Sequence, residues 1–494
     1  MPAGARRLSG CGILFCARIR RTCDARQRLK RRCPLLSFPA VSAALMRQVR
    51  LAIIGGGTVG GGVVKALQRN GALMASRLGV ELRLARVAVR QRSKARAVKI
   101  PAKLITTDWA GAVADPRIDL VAELMGGTTT ARAVVLGALK HGKPVVTANK
   151  ALLSAHGEEL FEAAQKYGTN LYYEASVAGG IPIIKVLREG LIGNRITRLY
   201  GIVNGTCNYI LTRMKVEGAD FADVLADAQR LGYAEAEPSL DIDGHDATHK
   251  IGILASLAHG FWVNPKQIHA EGIRQITKLD IQFAAQLGYT IKLLGIVKKL
   301  EERTHRVSVP KRKTEKNGCP VQVTVYPTLV PNAHVLASVN EVFNAVLVRG
   351  DIVGDTLYYG RGAGQDATAS AVLSDLADAA LDLKLGTKSR IPPFVPHERE
   401  GAVLPIDQVV SRYYVRLSVT DRPGTMAKIA TILGNARIGI SSVIQPEGHA
   451  GEIVPLILMI HDATNAAMTK ALAQVAALQV VRGAPAMIRV ENFE

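Results

Sequence analysis

The sequence predicts an α/β fold in three successive parts, and three observations carry that prediction. A glycine-rich turn sits between an apolar run and a helical run at residues 49–68. Val, Ile, Leu, Ala and Gly dominate a chain that is 48% hydrophobic and only 5% aromatic, which favours sheets covered by helices. Residues 413–490 alternate strand-like and helix-like runs in the order βαββαβ, the ferredoxin-like plan. A length of 494 residues suits about two to four domains with real cores. No apolar run approaches the ~18 residues of a membrane span.

The formal charge of +22 points first to nucleic acid or an anionic surface. Locating the charge weakens that reading. Residues 1–45 hold ten Lys/Arg against one acid, Asp24, and supply +9 of the total. No aromatic-interleaved basic patch accompanies the rest, so neither nucleic acid nor a membrane is an expected partner. Cys11, Cys16, Cys23 and Cys33 lie in the same stretch, at spacings that fit no zinc template. Only Cys207 and Cys319 remain, so there is no disulfide framework and the folded part reads as cytoplasmic. Residues 1–45 have three readings: an Arg-rich transit peptide, a basic disordered arm, or a start placed too early. The last is favoured, with Met46 as the true start, because a strand begins almost at once after it.

The predicted nucleotide domain spans residues 46–175. Residues 49–54 read as a strand and 61–68 as a helix, with Gly55-Gly56-Gly57-Thr58-Val59-Gly60 between them. This fits G-x-G-x-x-G in the setting that makes it a Rossmann-type dinucleotide site. Gly55 permits the turn, Gly57 lets backbone approach a pyrophosphate, and Gly60 lets helix and strand pack. Thr58 and Val59, in the same turn, are cofactor-binding candidates, and the free N–H groups at the start of the helix suit phosphates. The strand at 82–90 ends in Arg90, with Arg92 and Lys94 beyond and no acid. A carboxylate there would read the ribose of NAD; Arg90 and Lys94 suit the 2′-phosphate of NADP instead, with NAD the alternative. The spacing from Gly60 exceeds the usual ~20 residues, which a longer first helix or loop absorbs. Two further strands, 119–125 and 144–147, end in Gly126-Gly127-Thr128-Thr129 and Ala148-Asn149-Lys150. Ligands bind at the carboxyl ends of such strands, which nominates Thr128 and Lys150, although a lysine at a helix start is ordinarily a surface residue.

The second part, residues 176–385, is predicted α+β. A helix over 152–166 and a short strand lead from Glu174 into Ala175–Pro182, a glycine-rich turn. Its carbonyls, with Glu174, offer hard oxygen ligands to a cation. A strand over 194–203 precedes Asn204-Gly205-Thr206-Cys207. Cys207 is a candidate nucleophile, but buried cysteine is more often packing. Residues 231–250 gather Glu235, Glu237, Asp241, Asp243 and Asp246 and close on Lys250. Asp246 and Lys250 are spaced i, i+4 and share a face if the segment is helical. Such a pair fixes a charged lysine while the other acids receive a ligand ammonium; the bland alternative is a solvated salt bridge. His245 and His249 share that spacing but lack a third metal ligand. Residues 303–317 read as a surface loop, and 321–330 and 338–348 as strands. Gly360–Gly364 is a second glycine-rich turn before a helix over 368–380, and 360–385 is expected to pack back on the nucleotide domain. Residues 386–410 form a linker rich in Pro and charge, and 411–494 the ferredoxin-like domain.

From Met46 to the end the chain resembles homoserine dehydrogenase of the monofunctional bacterial type with a C-terminal ACT domain. The motifs are GGGTVG, VAVR, ELMGG, TANK, YEASVAGGIPII, NGTCNYIL, LGYAEAEPSLDIDGHDA with Lys250, PTLVP, VNEVFNAV, GDTLYYGRGAG and TDRPG. The resemblance implies NAD(P)H-dependent reduction of L-aspartate 4-semialdehyde to L-homoserine, on the route to threonine, methionine and isoleucine. It implies that Lys150 and Lys250 are the active-site lysines, that Asp246 supports Lys250, and that Glu235 and Asp241 bind substrate. It implies a Na or K site at Glu174, Val177, Gly179 and Ile181, a cofactor contact at Gly362, a homodimer or homotetramer, and threonine as an effector. Gln445 is a candidate effector contact. Arg361 and Asp366-Ala367 stand where many members have proline, and residues 1–45 have no counterpart. Two rivals stay open at this point: a phosphorylating semialdehyde dehydrogenase using Cys207, and a non-catalytic NADP-binding amino-acid sensor.

Overall fold

A computed structural model describes residues 46–96, 98–300, 320–398, 400–449 and 451–493. The basic stretch 1–45, the loop predicted at 303–317 and Cys319 lie outside the described residues.

The first layer alternates strand and helix: β1 (Arg47–Ile54), α1 (Thr58–Leu78), β2 (Val80–Ala88), β3 (Ile105–Thr106), α2 (Trp109–Ala114), β4 (Leu120–Glu123), α3 (Thr129–Lys140), β5 (Val145–Thr147), α4 (Lys150–Lys166) and β6 (Leu171–Tyr172). The strands pair in the order β3-β2-β1-β4-β5-β6, all parallel. Their centres are continuous apolar runs because both faces are covered. The order reverses between β1 and β4, and that opens a crevice beyond their carboxyl ends. α1 runs 21 residues, far past the predicted 61–68. That length absorbs the long spacing to Arg90, and β2 ends two residues before it.

The second part comprises α5 (Ile183–Lys185), β7 (Ile196–Ile202), α6 (Gly205–Glu217), α7 (Phe221–Arg230), α8 (Ser239–Ile242), α9 (His245–His259), β8 (His269–Ala270), α10 (Lys278–Gln286), β9 (Tyr289–Lys299), β10 (Val321–Pro331), β11 (Phe343–Gly350), β12 (Gly354–Arg361) and α11 (Gln365–Leu385). Helix α11 returns to the first sheet, where Ala369, Val372 and Leu376 share a core with Val49, Leu51 and Leu120. The strand predicted at 338–348 starts only at Phe343. Asn208 and Lys292 hold residues 339–343 in a loop instead: Asn208 Nδ2 donates to the carbonyls of Val339, Glu341 and Phe343, and Lys292 Nζ to Asn340 Oδ1 at 3.2 Å. β12 was not legible from periodicity, since it is an edge strand with alternate residues half covered.

The last part is β13 (Val410–Thr420), α12 (Thr425–Asn435), β14 (Ile440–Ile444), β15 (Ile453–Thr464), α13 (Asn465–Ala476) and β16 (Val481–Val490), the predicted βαββαβ order. Its sheet does not stand alone. β16 pairs antiparallel with β13 and also parallel with β10, at Thr328↔Arg489 and Leu329↔Val490. One ten-stranded sheet therefore runs β12-β11-β7-β9-β10-β16-β13-β15-β14, with β8 on β10. The proline-rich connection is anchored too: Tyr173 Oη donates to Pro393 O at 2.6 Å and Arg188 Nη2 to Ile391 O at 2.9 Å. Among the described residues no helix is long and apolar enough to cross a membrane.

Candidate active site

At the end of β1 the turn takes the form its glycines allow. Gly55 has φ +114°, and a Cβ there would lie 2.4 Å from Leu124 O. A Cβ on Gly60 would lie 1.9 Å from Gly55 O, so the helix closes directly on the turn. In front of Gly57 there is open space, and α1 starts without a side-chain cap. Its first N–H groups are left for an anion. Thr58 is exposed and Val59 half-buried beside them, and Thr58 O accepts from Gln365 Nε2 at 3.0 Å, which ties α11 to the turn. Thr128 caps α3 at the neighbouring strand end, again with no side-chain bond.

Beyond β2 the cations divide. Arg92 Nη2 donates to Ile105 O at 2.6 Å, and Arg96 donates to the carbonyls of Gln91, Arg92 and Lys94. These two organise the loop. Arg90 and Lys94 are exposed and bond to none of the described side chains, so this pair stays open to solvent.

The acidic segment supplies α8 and the first turn of α9. Asp246 lies in that first turn, where the helix dipole favours a carboxylate. It is buried, and its two oxygens hold two lysines that lie on different helices, α4 and α9. Oδ1 accepts from Lys150 Nζ at 2.8 Å, and Oδ2 accepts from Lys250 Nζ at 2.7 Å and from Asn204 Nδ2 at 3.0 Å. Lys250 also donates to Val203 O at 2.7 Å. An ammonium has three donors; two are engaged, and the third meets no acceptor among the described residues. Lys150 is the first residue of α4, an unfavourable place for a cation, and its side chain is 42% exposed. Burial opposes its charge, but Asp246, then Asp241 and Glu235, outweigh that and raise its pKa. Burial likewise opposes the Asp246 charge, and the two lysines overcome it and hold the carboxyl well below its usual range.

The remaining acids sort by partner. Glu237 accepts from Ser239 N at 3.2 Å and from its hydroxyl, and Asp243 pairs with Arg274 at 2.5 Å. Asp241 accepts from Asn204 Nδ2 at 2.7 Å and Thr206 Oγ1 at 3.3 Å. Glu235 is exposed, and its carboxylate accepts nothing from the described residues. Asn204, which spans Asp241 and Asp246 and caps α6 through Cys207 N, was missed from sequence; an Asn just before a helix is a cap signal, but not a signal for its second task. Glu123 was also missed. It is fully buried at the end of β4, accepts from Thr147 Oγ1 at 2.7 Å and from Met125 N at 2.8 Å, and is pushed up by burial.

Cys207 is fully buried, its thiol donates to Asp241 O at 3.2 Å, and burial pushes its pKa well up. A thiol so held is a poor nucleophile. His245 and His249 join no group of three or more metal-ligating side chains among the described residues.

In the cation loop, both Glu174 carboxylate oxygens are engaged by Ile184 N (2.9 Å) and Lys185 N (2.8 Å), and burial raises its pKa to about 7. Its side chain is therefore not a free ligand. Carbonyls fit better: Ala178 (φ +53°) and Gly179 (φ +48°) turn the backbone, and the oxygens of Val177 and Gly179 accept no hydrogen bond among the described residues. Ile181 O accepts from Ile183 N at 2.8 Å. Gly362 packs on this loop. A Cβ on Gly179 would lie 2.5 Å from Gly362 O, and one on Gly362 would lie 1.9 Å from Asn344 Nδ2. Any side chain at 362 would expel the turn that α11 carries to Thr58.

Comparison with known proteins agrees with this arrangement. Residues 55–174 match the model described as the homoserine dehydrogenase NAD binding domain, and 182–377 that of homoserine dehydrogenase. Homoserine dehydrogenase of Pseudomonas aeruginosa is 43% identical, over 91% of this chain and 100% of that one; that of Bacillus subtilis is 36% identical, over 90% and 99%. A crystal structure of a homoserine dehydrogenase from Thiobacillus denitrificans superposes with a TM-score of 0.83 at 43% identity, covering 91% and 99%. A hyperthermophilic archaeal homoserine dehydrogenase in complex with NADPH superposes at 0.56 and 26% identity, covering 68% and 98%. The paired lysines, the nucleotide turn and these likenesses agree: the chain belongs to the homoserine dehydrogenase family.

Proposed function

We propose that Lys250 delivers the proton when L-aspartate 4-semialdehyde is reduced to L-homoserine, and that Lys150 steers the carbonyl beside it. The supporting observation is the single carboxylate of Asp246, shared by both ammoniums. NADPH, when bound, supplies the hydride to the aldehyde carbon. The carbonyl oxygen then gains negative charge, and the free N–H of Lys250 is the donor aimed at it. Glu235 receives the substrate ammonium, helped by Asp241. Gly55, Gly57, Thr58, Val59, Gly60 and Thr128 hold the dinucleotide phosphates, and Gly362 braces the covering turn. Free Arg90 and Lys94, with no acid ending β2, favour NADP over NAD. Of the set expected for a Na or K ion, Glu174 with the backbone oxygens of Val177, Gly179 and Ile181, the carbonyls of Val177 and Gly179 are the ligands left open among the described residues.

The C-terminal βαββαβ unit is read as an ACT domain that takes threonine as effector, with Gln445 a contact. Exposed Leu357 and Tyr359 on the β12 edge, with Ile352 in the turn before it, suit a homodimer or homotetramer. The setting is cytoplasmic. Steady-state kinetics with NADPH and NADH, with and without threonine, test these points together. A higher kcat/KM with NADPH, reduced by Arg90→Ala, and inhibition by millimolar threonine are expected. Equal use of NADH, or indifference to threonine, refutes the corresponding part.

A further inference from the structure

Arg489, on β16, is one of the largest fully buried side chains in the protein. Its guanidinium meets three elements. Nη1 donates to Glu271 at 2.9 Å, Nη2 to Asn465 Oδ1 at 2.7 Å, and the plane lies 4.3 Å from the Tyr326 ring of β10. Asn465 is the first residue of α13 in the C-terminal domain. Glu271 begins a strap, residues 271–274, that lies against the acidic segment. Ile273 N donates to Ile242 O at 2.8 Å, and Arg274 pairs with Asp243 and donates to Ser239 Oγ at 2.9 Å. The approach at Gly272 is close enough that a Cβ would lie 2.1 Å from Ile242 O. Ile242 follows Asp241 directly, and Asp246 opens the next helix.

We propose that Arg489 is a positioning residue for the substrate-binding acids, acting through Glu271 and the 271–274 strap, and that Asn465 makes the same guanidinium responsive to the C-terminal domain. One planar fork holds the strap and the start of α13 at once. A displacement of α13 therefore changes how firmly Glu271 is held, and the strap passes that to residues 239–244. The strap touches neither the dinucleotide turn nor Lys150, so the coupling falls on substrate binding. The inference rests on the reading that Glu235 and Asp241 hold the substrate ammonium.

The test uses the full chain and measures KM for the semialdehyde, KM for NADPH, and kcat. Asn465→Ala removes one contact of the guanidinium, Glu271→Gln removes the charge that Arg489 shares with His269 (2.7 Å from Glu271), and both are expected to fold, as a thermal melt checks. Each is expected to raise the semialdehyde KM about fivefold, with the NADPH KM within about twofold. Arg489→Lys, which cannot bridge both partners, should behave the same way. The Glu271→Gln/Asn465→Ala double variant should show less than the product of the single effects, because both act through one group. A folded Glu271→Gln with unchanged semialdehyde KM overturns the proposal. So does Asn465→Ala without effect, or a fall in kcat that tracks lost stability while both KM values stay fixed. The underlying reading fails separately, if Glu235→Gln and Asp241→Asn leave the semialdehyde KM unchanged in the otherwise native chain.

Discussion

Asp246→Asn is the sharpest perturbation of the site. The side chain keeps its shape but loses one acceptor and its charge. The carboxylate now serves Lys150 at 2.8 Å, Lys250 at 2.7 Å and Asn204 at 3.0 Å. An amide has one oxygen, so its NH2 must face a donor. At an effective dielectric of about 20, each ion pair at this range is worth roughly 5 kcal/mol before desolvation is counted. Lys150 is screened by its exposure, and Lys250 is not, so a net loss of about 3–4 kcal/mol at the buried lysine is reasonable. At about 1.4 kcal/mol per decade this is a fall of roughly 10²–10³ in kcat. The pH profile moves as well. Lys150 is held charged above its usual range chiefly against burial, by Asp246. A raised lysine pKa keeps the ammonium present below it and loses it only as pH climbs through it. Without Asp246 only Asp241 and Glu235 are left to oppose burial, so the ammonium is lost at lower pH than in the native protein and the alkaline limb of aldehyde reduction shifts downward. Initial rates of NADPH oxidation from neutral pH to about pH 10, alongside a melting curve, read both effects. A folded variant with turnover within about threefold of the native enzyme and an unmoved alkaline limb would refute the shared-carboxylate mechanism.

Lys250→Ala should lower kcat by about 10²-fold or more, measured in both directions; native-like turnover removes it as proton donor. Cys207→Ala should retain turnover because the thiol is buried, bonded to Asp241 O and held protonated; loss of about 10²-fold or more, with the fold intact, would revive the thioacyl alternative. Truncation after Gly401 should lower the melting temperature sharply rather than yield a clean catalytic core. It strips Arg416 from fully buried Asp280 (2.7 Å), and a buried ion left without its cation costs about 3–5 kcal/mol; it also takes Arg489 from Glu271 (2.9 Å), which keeps His269. A truncated chain that melts with the full one contradicts this.

What could be read from sequence was whatever depends on near neighbours. The GGGTVG turn fixes its own conformation through Gly55 and Gly60, so its place between strand and helix was visible. Asp246 and Lys250 meet because a helix brings i and i+4 together. Lys150 stands 96 positions before Asp246 and reaches it only because α4 packs on α9; its place at a strand's carboxyl end nominated it and the resemblance strengthened that, but neither pointed to Asp246 as its partner. The same limit hid the strand pairing of β16 with β10 and the Arg489–Glu271 contact, since neither partner's local pattern specifies the other. The late start of β11 was hidden because Asn208 and Lys292, distant in sequence, claim the carbonyls of residues 339–343.

The charge count of the site explains why its parts lie where they do. Two ammoniums and the Asp246 carboxylate leave one positive charge where the lysines meet, while Asp241 and Glu235 nearby supply the negative charge that answers a substrate ammonium. A developing alkoxide carries one negative charge, so the lysine pair is complementary to the reacting state rather than to the neutral aldehyde. Two ammoniums brought together need an anion between them. That anion stands in the first turn of α9, where the helix dipole lowers the cost of burying it, while Lys150 is held at the start of α4, where the dipole opposes it. A salt bridge chosen for stability alone would place both lysines elsewhere, since buried ion pairs seldom improve on apolar packing. Among the described residues one Lys250 N–H keeps no partner, and on the proposed mechanism that is the donor the reaction uses.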